Sequence, residues 1–522
     1  PTDLLRIFNS TLNKKEKLPN IKRSIRRVVL NKLDELVTKK GISAVYEEVN
    51  KYSEMWKRFG EKLHPGDYSD KYENAYLIFS MVRKNVTIET WSNKLDSALK
   101  RKDIDSALKL LVVKPGEFAR KLQSLYNIAI EVQTKNLQTV SDVNKITQVF
   151  LTIVDKVSTN VLLQLHNHFK YKIYDPYRYY ISKRNSNMNV IDNEKIKQNI
   201  GNDKYKNIVQ YLVDRIEEEI IKRLQSDNKE KISIFNGENI NLNSHNKIYL
   251  DENLKDIKLP ENTRTLSEGM FLVGRGTKFD FDKDTKILRF FVHWKNIIDG
   301  DSQYRNRVDI DLSADLYTED FKNKHAFNYY SNYHDGVNGM GVFSGDITNA
   351  PHGASEFIDI NINVALNKGF RYIATHVYSY TGQPFDVIPE LCFGYMERKE
   401  PGQRGEIFDA RTVSNKIDLV GNKTRTIATL IDLKDKKIIF VDLANDTPRN
   451  YSQSFAYMKQ DLKIYDVILN MNPINIYDIL KMYIESLNLN LVYENDIDDD
   501  TIVISKNNFD NKLMYEILTK VI

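Results

Sequence analysis

A single cysteine, Cys392, in 522 residues excludes any disulfide within the chain and fits a reducing compartment. It lies between Leu391 and Phe393, a setting in which a thiol is read as a small buried hydrophobe rather than a nucleophile. Proline (12) and glycine (21) are scarce, so long flexible linkers are not expected. No apolar run approaches the roughly 20 residues of a membrane span, and no signal-type segment is visible; the expectation is a cytoplasmic protein with no membrane span. The chain opens at Pro1 without a methionine, as a processed or truncated product would. Also missing are a phosphate-cradling glycine loop, a Gly-x-Ser-x-Gly elbow, His-Glu-x-x-His and a Cys-x-x-Cys pair. Gly274-Arg275-Gly276 is too short to serve as a nucleotide loop. These absences favour a binding or scaffolding protein over an enzyme.

The length exceeds what one hydrophobic core supports and predicts several domains. Charge divides unevenly: residues 1–250 carry 44 Lys and Arg against 30 Asp and Glu, the remainder 32 against 41. A basic half followed by an acidic half implies two bodies with different partners, or halves that attract one another. The abundance of Asn, Lys, Ile and Tyr fits an AT-rich coding genome, which accounts for part of the charge bias without any function.

The first half has the period of helices. Val28, Val29, Leu33, Leu36 and Val37 recur at three- and four-residue spacing, as do Leu77, Ile78, Met81 and Val82, and Ile104, Ala107, Leu108 and Leu111. Pro65-Gly66 and Pro115-Gly116 interrupt the pattern and mark a turn and a helix entry. Short helices separated by such turns predict an all-α array, HEAT-like in kind but without a strict repeat period. Two clusters here suit nucleic acid. Lys22, Arg23, Arg26 and Arg27 form a basic helical face able to meet phosphates, or simply a solvated one. Tyr171–Tyr180 interleaves Lys172 and Arg178 with aromatics, a composition suited to base stacking, or to an edge strand or packed loop. His166 and His168 stand two apart, a spacing that does not face one metal from a helix.

Beyond about Asn241 the period changes to two. Ile287–Trp294 reads as a buried strand, while Val308–Ser313 alternates strictly and places Asp309, Asp311 and Ser313 on one face. Carboxylates sharing one strand face repel, and persist if a cation lies between them or the face is solvated; such oxygen ligands suit Ca²⁺. Ser344-Gly345-Asp346-Ile347-Thr348-Asn349 then forms a loop rich in side-chain oxygens, closing on Glu356 and a strand that carries Asp359. Asp309, Asp311 and the loop's Asp346 offer such oxygens, or equally cap a turn and accept from backbone N–H groups. Tyr380-Thr381-Gly382-Gln383-Pro384-Phe385 makes a polar turn, and Ile427–Leu433 with Lys437–Leu443 forms a hairpin. Short strands with regular turns predict a β-sandwich. The acidic run 494–500 lacks the central glycine and final glutamate of an EF-hand and reads as a solvated turn.

The Asp309-x-Asp311-x-Ser313 strand, the Ser344-Gly345-Asp346 loop and the Tyr380–Phe385 turn occur in the order found in TerD domains, and this third of the chain resembles that tellurium-resistance family. The resemblance implies a two-sheet sandwich, Ca²⁺ on acidic loop side chains, and roles in tellurite, phage and general stress resistance in bacteria or phage, with other proteins of a stress-response complex as partners. One departure stands out. The family's loop opens on Gly-Asp and closes on Glu, as Gly345-Asp346 and Glu356 do here, but its dense acidic interior is here Ala350-Pro351-His352-Gly353-Ala354-Ser355. The resemblance thus makes Asp309, Asp311, Asp346 and Glu356 the candidate ligands, with Asp359 behind them, and implies weaker ion binding. Trp56–Gly66 and Lys114–Leu122 resemble the helical region upstream of TerD domains in large bacterial proteins, a region likened to TROVE repeats, which implies RNA as an alternative partner for the basic half. A small-molecule sensor in the sandwich is a third reading. The expected fold class is multidomain α+β: a helical array over 1–240, a TerD-like β-sandwich over 241–450 and an α/β extension over 451–522.

Overall fold

A computed structural model describes residues 1–9, 18–86, 90–133, 139–172, 177–181, 188–192, 203–226, 247–259, 274–297, 306–329, 339–399, 413–444 and 459–506. The chain separates into two compact units, Pro1–Lys156 and Val157–Ile522.

The first unit is helical, as the period predicts. Arg23–Lys40, Ile42–Asn50, Ser53–Leu63 and Glu73–Arg83 close around Leu30, Leu33, Tyr46, Trp56, Phe59 and Phe79. Val28 and Leu77, counted into the apolar stripes, face outward instead. Gly41, at φ +81°, separates the first two of these helices, and His64 in the left-handed region ends the third ahead of Pro65. The oxygens of Thr90 and Asp103 accept from the amides of Asn93 and Ser106, starting Trp91–Lys100 and Ile104–Leu111. Pro115–Gln133 and Thr139–Leu151 follow. The lengths of the described helices follow no fixed period.

The division at Lys156 differs from the boundary expected near 240. Helices Thr159–Lys172 and Asp203–Ser226 belong to the second unit, where His166 Nε2 meets Glu217 Oε2 at 2.8 Å. Asn167 donates to the Asn472 carbonyl and Lys170 pairs with Asp478 at 3.4 Å. Partners some 300 residues apart leave no trace in local periodicity. Between these helices, β1 (Tyr177–Ile181) and β2 (Met188–Asp192) pair as an antiparallel hairpin, so the aromatic-basic segment does contain a strand.

The remaining strands are β3 (Lys247–Leu250), β4 (Lys278–Asp280), β5 (Ile287–Trp294), β6 (Ile310–Thr318), β7 (Lys324–Phe327), β8 (Gly341–Phe343) and β9 (Ala354–Asn361). After them come β10 (Phe370–Ser379), β11 (Cys392–Arg398), β12 (Asn415–Asp418), β13 (Arg425–Asp432), β14 (Lys437–Ala444), β15 (Asn490–Val492) and β16 (Ile502–Ile504). Two antiparallel sheets, ordered β4-β14-β13-β10-β6-β7 and β12-β11-β5-β9-β8, form the sandwich. Alternation supplies its core: Leu288, Phe290, Val292 and Trp294 of one sheet meet Ile310, Leu312, Ala314 and Leu316 of the other. The outer face of the larger sheet carries Tyr317, Tyr372, Ile427 and Leu430, covered by Ile464, Tyr465 and Ile468 of the helix Lys459–Asn470. The C-terminal extension is α/β as expected, but its parallel sheet, β15-β3-β16, takes its central strand from ahead of the sandwich.

Gly394 marks a close approach within the smaller sheet. A Cβ there would lie 2.4 Å from the Asn415 carbonyl oxygen and 2.6 Å from the Phe291 ring. Strand propensity alone favours alanine over glycine, but overpacking of this kind costs about 1–3 kcal/mol. Gly394→Ala is therefore expected to lower the urea midpoint at unchanged slope; a midpoint at or above wild type would refute the contact.

Candidate metal centre

The edge of β6 creates the site. β7 pairs only with Ala314–Tyr317, so the opening residues of β6 lie beyond its cover. The Leu312 amide, facing that open edge, donates to Glu356 Oε2 at 3.1 Å, and the Ile347 amide donates to Glu356 Oε1 at 2.8 Å. Glu356 is fully buried and thus ties β6 and the 344–353 loop to β9. Burial, opposed by these two amides, pushes its carboxyl well above the usual carboxylate range.

Along this edge Asp309, Asp311 and Asp346 bring one carboxylate oxygen each within 4.8 Å of one another. Asp309 is buried, Asp311 half-buried and Asp346 exposed, so the cluster opens to solvent on the loop side. Asp309 Oδ1 and Asp311 Oδ2 are buried with no hydrogen-bond partner among the described residues. Buried carboxylate oxygens without partners are costly, and two of them beside a third carboxylate constitute a set of hard oxygen donors for a cation. Burial, then the Asp309 and Asp346 charges, push Asp311 up to about 7. Burial and Asp346 likewise raise Asp309, against the opposing pull of Arg307.

The three sequence motifs converge here. The Asp309 amide donates to Thr381 Oγ1 at 3.1 Å and its carbonyl accepts from the Tyr380 amide at 3.0 Å. Gln383 Nε2 donates to the Arg307 carbonyl at 2.8 Å, and the Thr381 hydroxyl bonds Gln383. The polar turn after β10 thus clamps the entry to β6. Gly345, at φ +115°, makes the bend that delivers Asp346.

Two residues absent from the sequence reading complete the frame. Asn296 Oδ1 accepts from both the Val308 and Ala350 amides at 3.1 Å, stapling the loop to the strand entry. Arg307 donates to Asp309 Oδ2 at 3.1 Å and to the Thr348 carbonyl at 2.7 Å. A lone Asn or an Arg just outside a strand carries no sequence signal for either role.

Of the five candidate ligands, the structure gathers three. Glu356 stands next to them with both oxygens engaged by backbone amides. Asp359 lies on the opposite face of β9, where its oxygens accept from Arg289 at 2.6 and 2.8 Å in a fully buried pair. Period two offered the signal: Glu356 and Asp359, three apart on one strand, point to opposite faces. Cys392 is half-buried against the cluster of Phe291, Phe357 and Met396, and burial pushes its thiol up to about 11. The 494–500 run is exposed throughout, as a solvated turn.

The basic candidates fall in different units. Lys22, Arg23 and Arg27 are exposed at the start of Arg23–Lys40, and Arg26 donates to the Ile21 carbonyl at 2.8 Å. Lys172 ends a helix and Arg178 lies in β1 of the second unit; their side chains fall outside those described.

No helix among the described residues is long and apolar enough to cross a membrane. No family model matches the chain, and no curated protein matches it either. Among solved structures, a protein of unknown function shares 13% identity, with 34% of this chain and all of that chain covered at a TM-score of 0.26. A homologue of the telluride resistance protein TerD from Streptomyces coelicolor A3(2) shares 11% identity, with 31% of this chain and 92% of that chain covered at a TM-score of 0.24. Likeness at this level leaves the fold to rest on the strands themselves and the site on its own geometry.

Proposed function

We propose that this chain is a scaffold of the TerD type whose sandwich binds Ca²⁺ at Asp309, Asp311 and Asp346. The pair of buried, unpartnered oxygens on Asp309 and Asp311, beside Asp346, carries the reading. An all-oxygen set at an open sheet edge suits Ca²⁺, which takes six to eight oxygens in flexible geometry, better than Zn²⁺, which favours nitrogen and sulfur. A bound cation would supply the charge that lets neighbouring carboxylates ionise together. It would join the entry of β6 to the 344–353 loop, and so link the two sheets.

Calorimetry on chelator-treated protein is expected to show one Ca²⁺ site, lost in Asp309→Asn and in Asp346→Asn. Absence of heat with wild-type protein, together with an unshifted melting temperature in Ca²⁺, would sink the proposal. The stress role rests on the motif order in the sequence. It is tested by bacterial growth under tellurite with the wild-type chain or Asp346→Asn, equal growth counting against a role for the site.

A further inference from the structure

Arg307 already places a positive charge on this cluster. Its guanidinium holds Asp309 Oδ2 and the Thr348 carbonyl, while Asp309 Oδ1 remains without a partner. The side chain is 54% exposed and Asp309 4%, so the arginine covers Asp309 from its solvent side. With all three aspartates ionised, one guanidinium leaves two uncompensated negative charges. That residual charge matches one divalent ion. We infer that Arg307 is a tethered cation that limits the site to a single divalent ion and lowers its affinity below what three carboxylates would give.

The inference rests on the cation-binding reading but concerns a different residue and makes a different measurement. A fixed positive charge repels an incoming ion in proportion to the ion's own charge. Removing it must therefore favour a trivalent ion more than a divalent one. The competing view makes Arg307 only a staple between Asp309 and the loop; its loss would then loosen the site and weaken every ion alike.

Titrations of Ca²⁺ and Tb³⁺ into wild type, Arg307→Gln and Arg307→Lys separate the two. Arg307→Gln is expected to tighten Ca²⁺ on the order of tenfold and Tb³⁺ on the order of thirtyfold, the logarithmic gains scaling with ion charge. Arg307→Lys, which keeps the charge and loses the two-point contact, is expected to bind Ca²⁺ within about threefold of wild type. Weaker binding of both ions to Arg307→Gln overturns the inference, as does equal binding in all three proteins, while the Ca²⁺ site itself stands. If wild type binds no Ca²⁺ and Arg307→Gln does, the tethered cation is upheld and the wild-type Ca²⁺ reading falls. If no protein binds either ion, both fall.

Discussion

Asp311→Asn is expected to stabilise the ion-free protein at neutral and alkaline pH while abolishing Ca²⁺ binding. The sign follows from Asp311 titrating near 7 in the folded protein, against an ordinary value of 3.8, chiefly through burial and then through Asp309 and Asp346. A folded pKa above the unfolded one means that the folded state holds the proton more tightly. The stability this group confers is complete below about pH 4 and is lost as the pH rises through 7. At about 1.4 kcal/mol per unit, the loss reaches at most about 4 kcal/mol above pH 7. Asparagine cannot ionise, and its amide can donate to the neighbouring carboxylates. The wild-type melting temperature without ions should thus fall between pH 5 and 8 more steeply than that of the variant, which keeps the raised Asp309 and Glu356 carboxyls.

Ca²⁺ narrows that gap. At a hundredfold excess over its dissociation constant an ion adds about 2.7 kcal/mol to the protein that binds it, and nothing to one that does not. Wild type should regain most of its lost stability with Ca²⁺ at pH 8, with little gain at pH 5, where Asp311 is protonated. Parallel pH–melting curves for wild type and Asp311→Asn without ions would contradict the raised titration of Asp311.

The cluster was legible because its parts obey short-range rules. Alternation in Val308–Ser313 placed Asp309 and Asp311 on one face, and a glycine bend announced the loop with Asp346. What stayed hidden is long-range. Glu356 reads as one more acidic ligand until the open edge of β6 gives its oxygens two amides to accept from. Asn296 and Arg307 gain their roles from a loop about 40 to 55 residues away. The helices Thr159–Lys172 and Asp203–Ser226 carry the same period as those of the first unit. Only their packing near Ile476–Ser486 assigns them to the second.

Asp359→Asn is expected to destabilise the sandwich by about 3–5 kcal/mol and to leave Ca²⁺ affinity unchanged. Arg289 and Asp359 face each other across β5 and β9, joined by two contacts of 2.6 and 2.8 Å. The guanidinium also lies 3.9 Å from the centre of the Phe357 ring. Both residues are almost fully buried, so removing one charge takes this two-point ionic partner from the other where water cannot replace it. The urea midpoint should fall at constant slope, whereas Arg289→Met with Asp359→Leu, which removes both charges, should recover most of the loss. The same calorimetric titration decides the role of the residue. A carboxylate on the face of β9 opposite Glu356 cannot join the cluster, so Asp359→Asn must bind Ca²⁺ as wild type does. A tenfold weaker affinity with a near-normal urea midpoint would make Asp359 a ligand after all, and would require β9 to present it to the edge of β6.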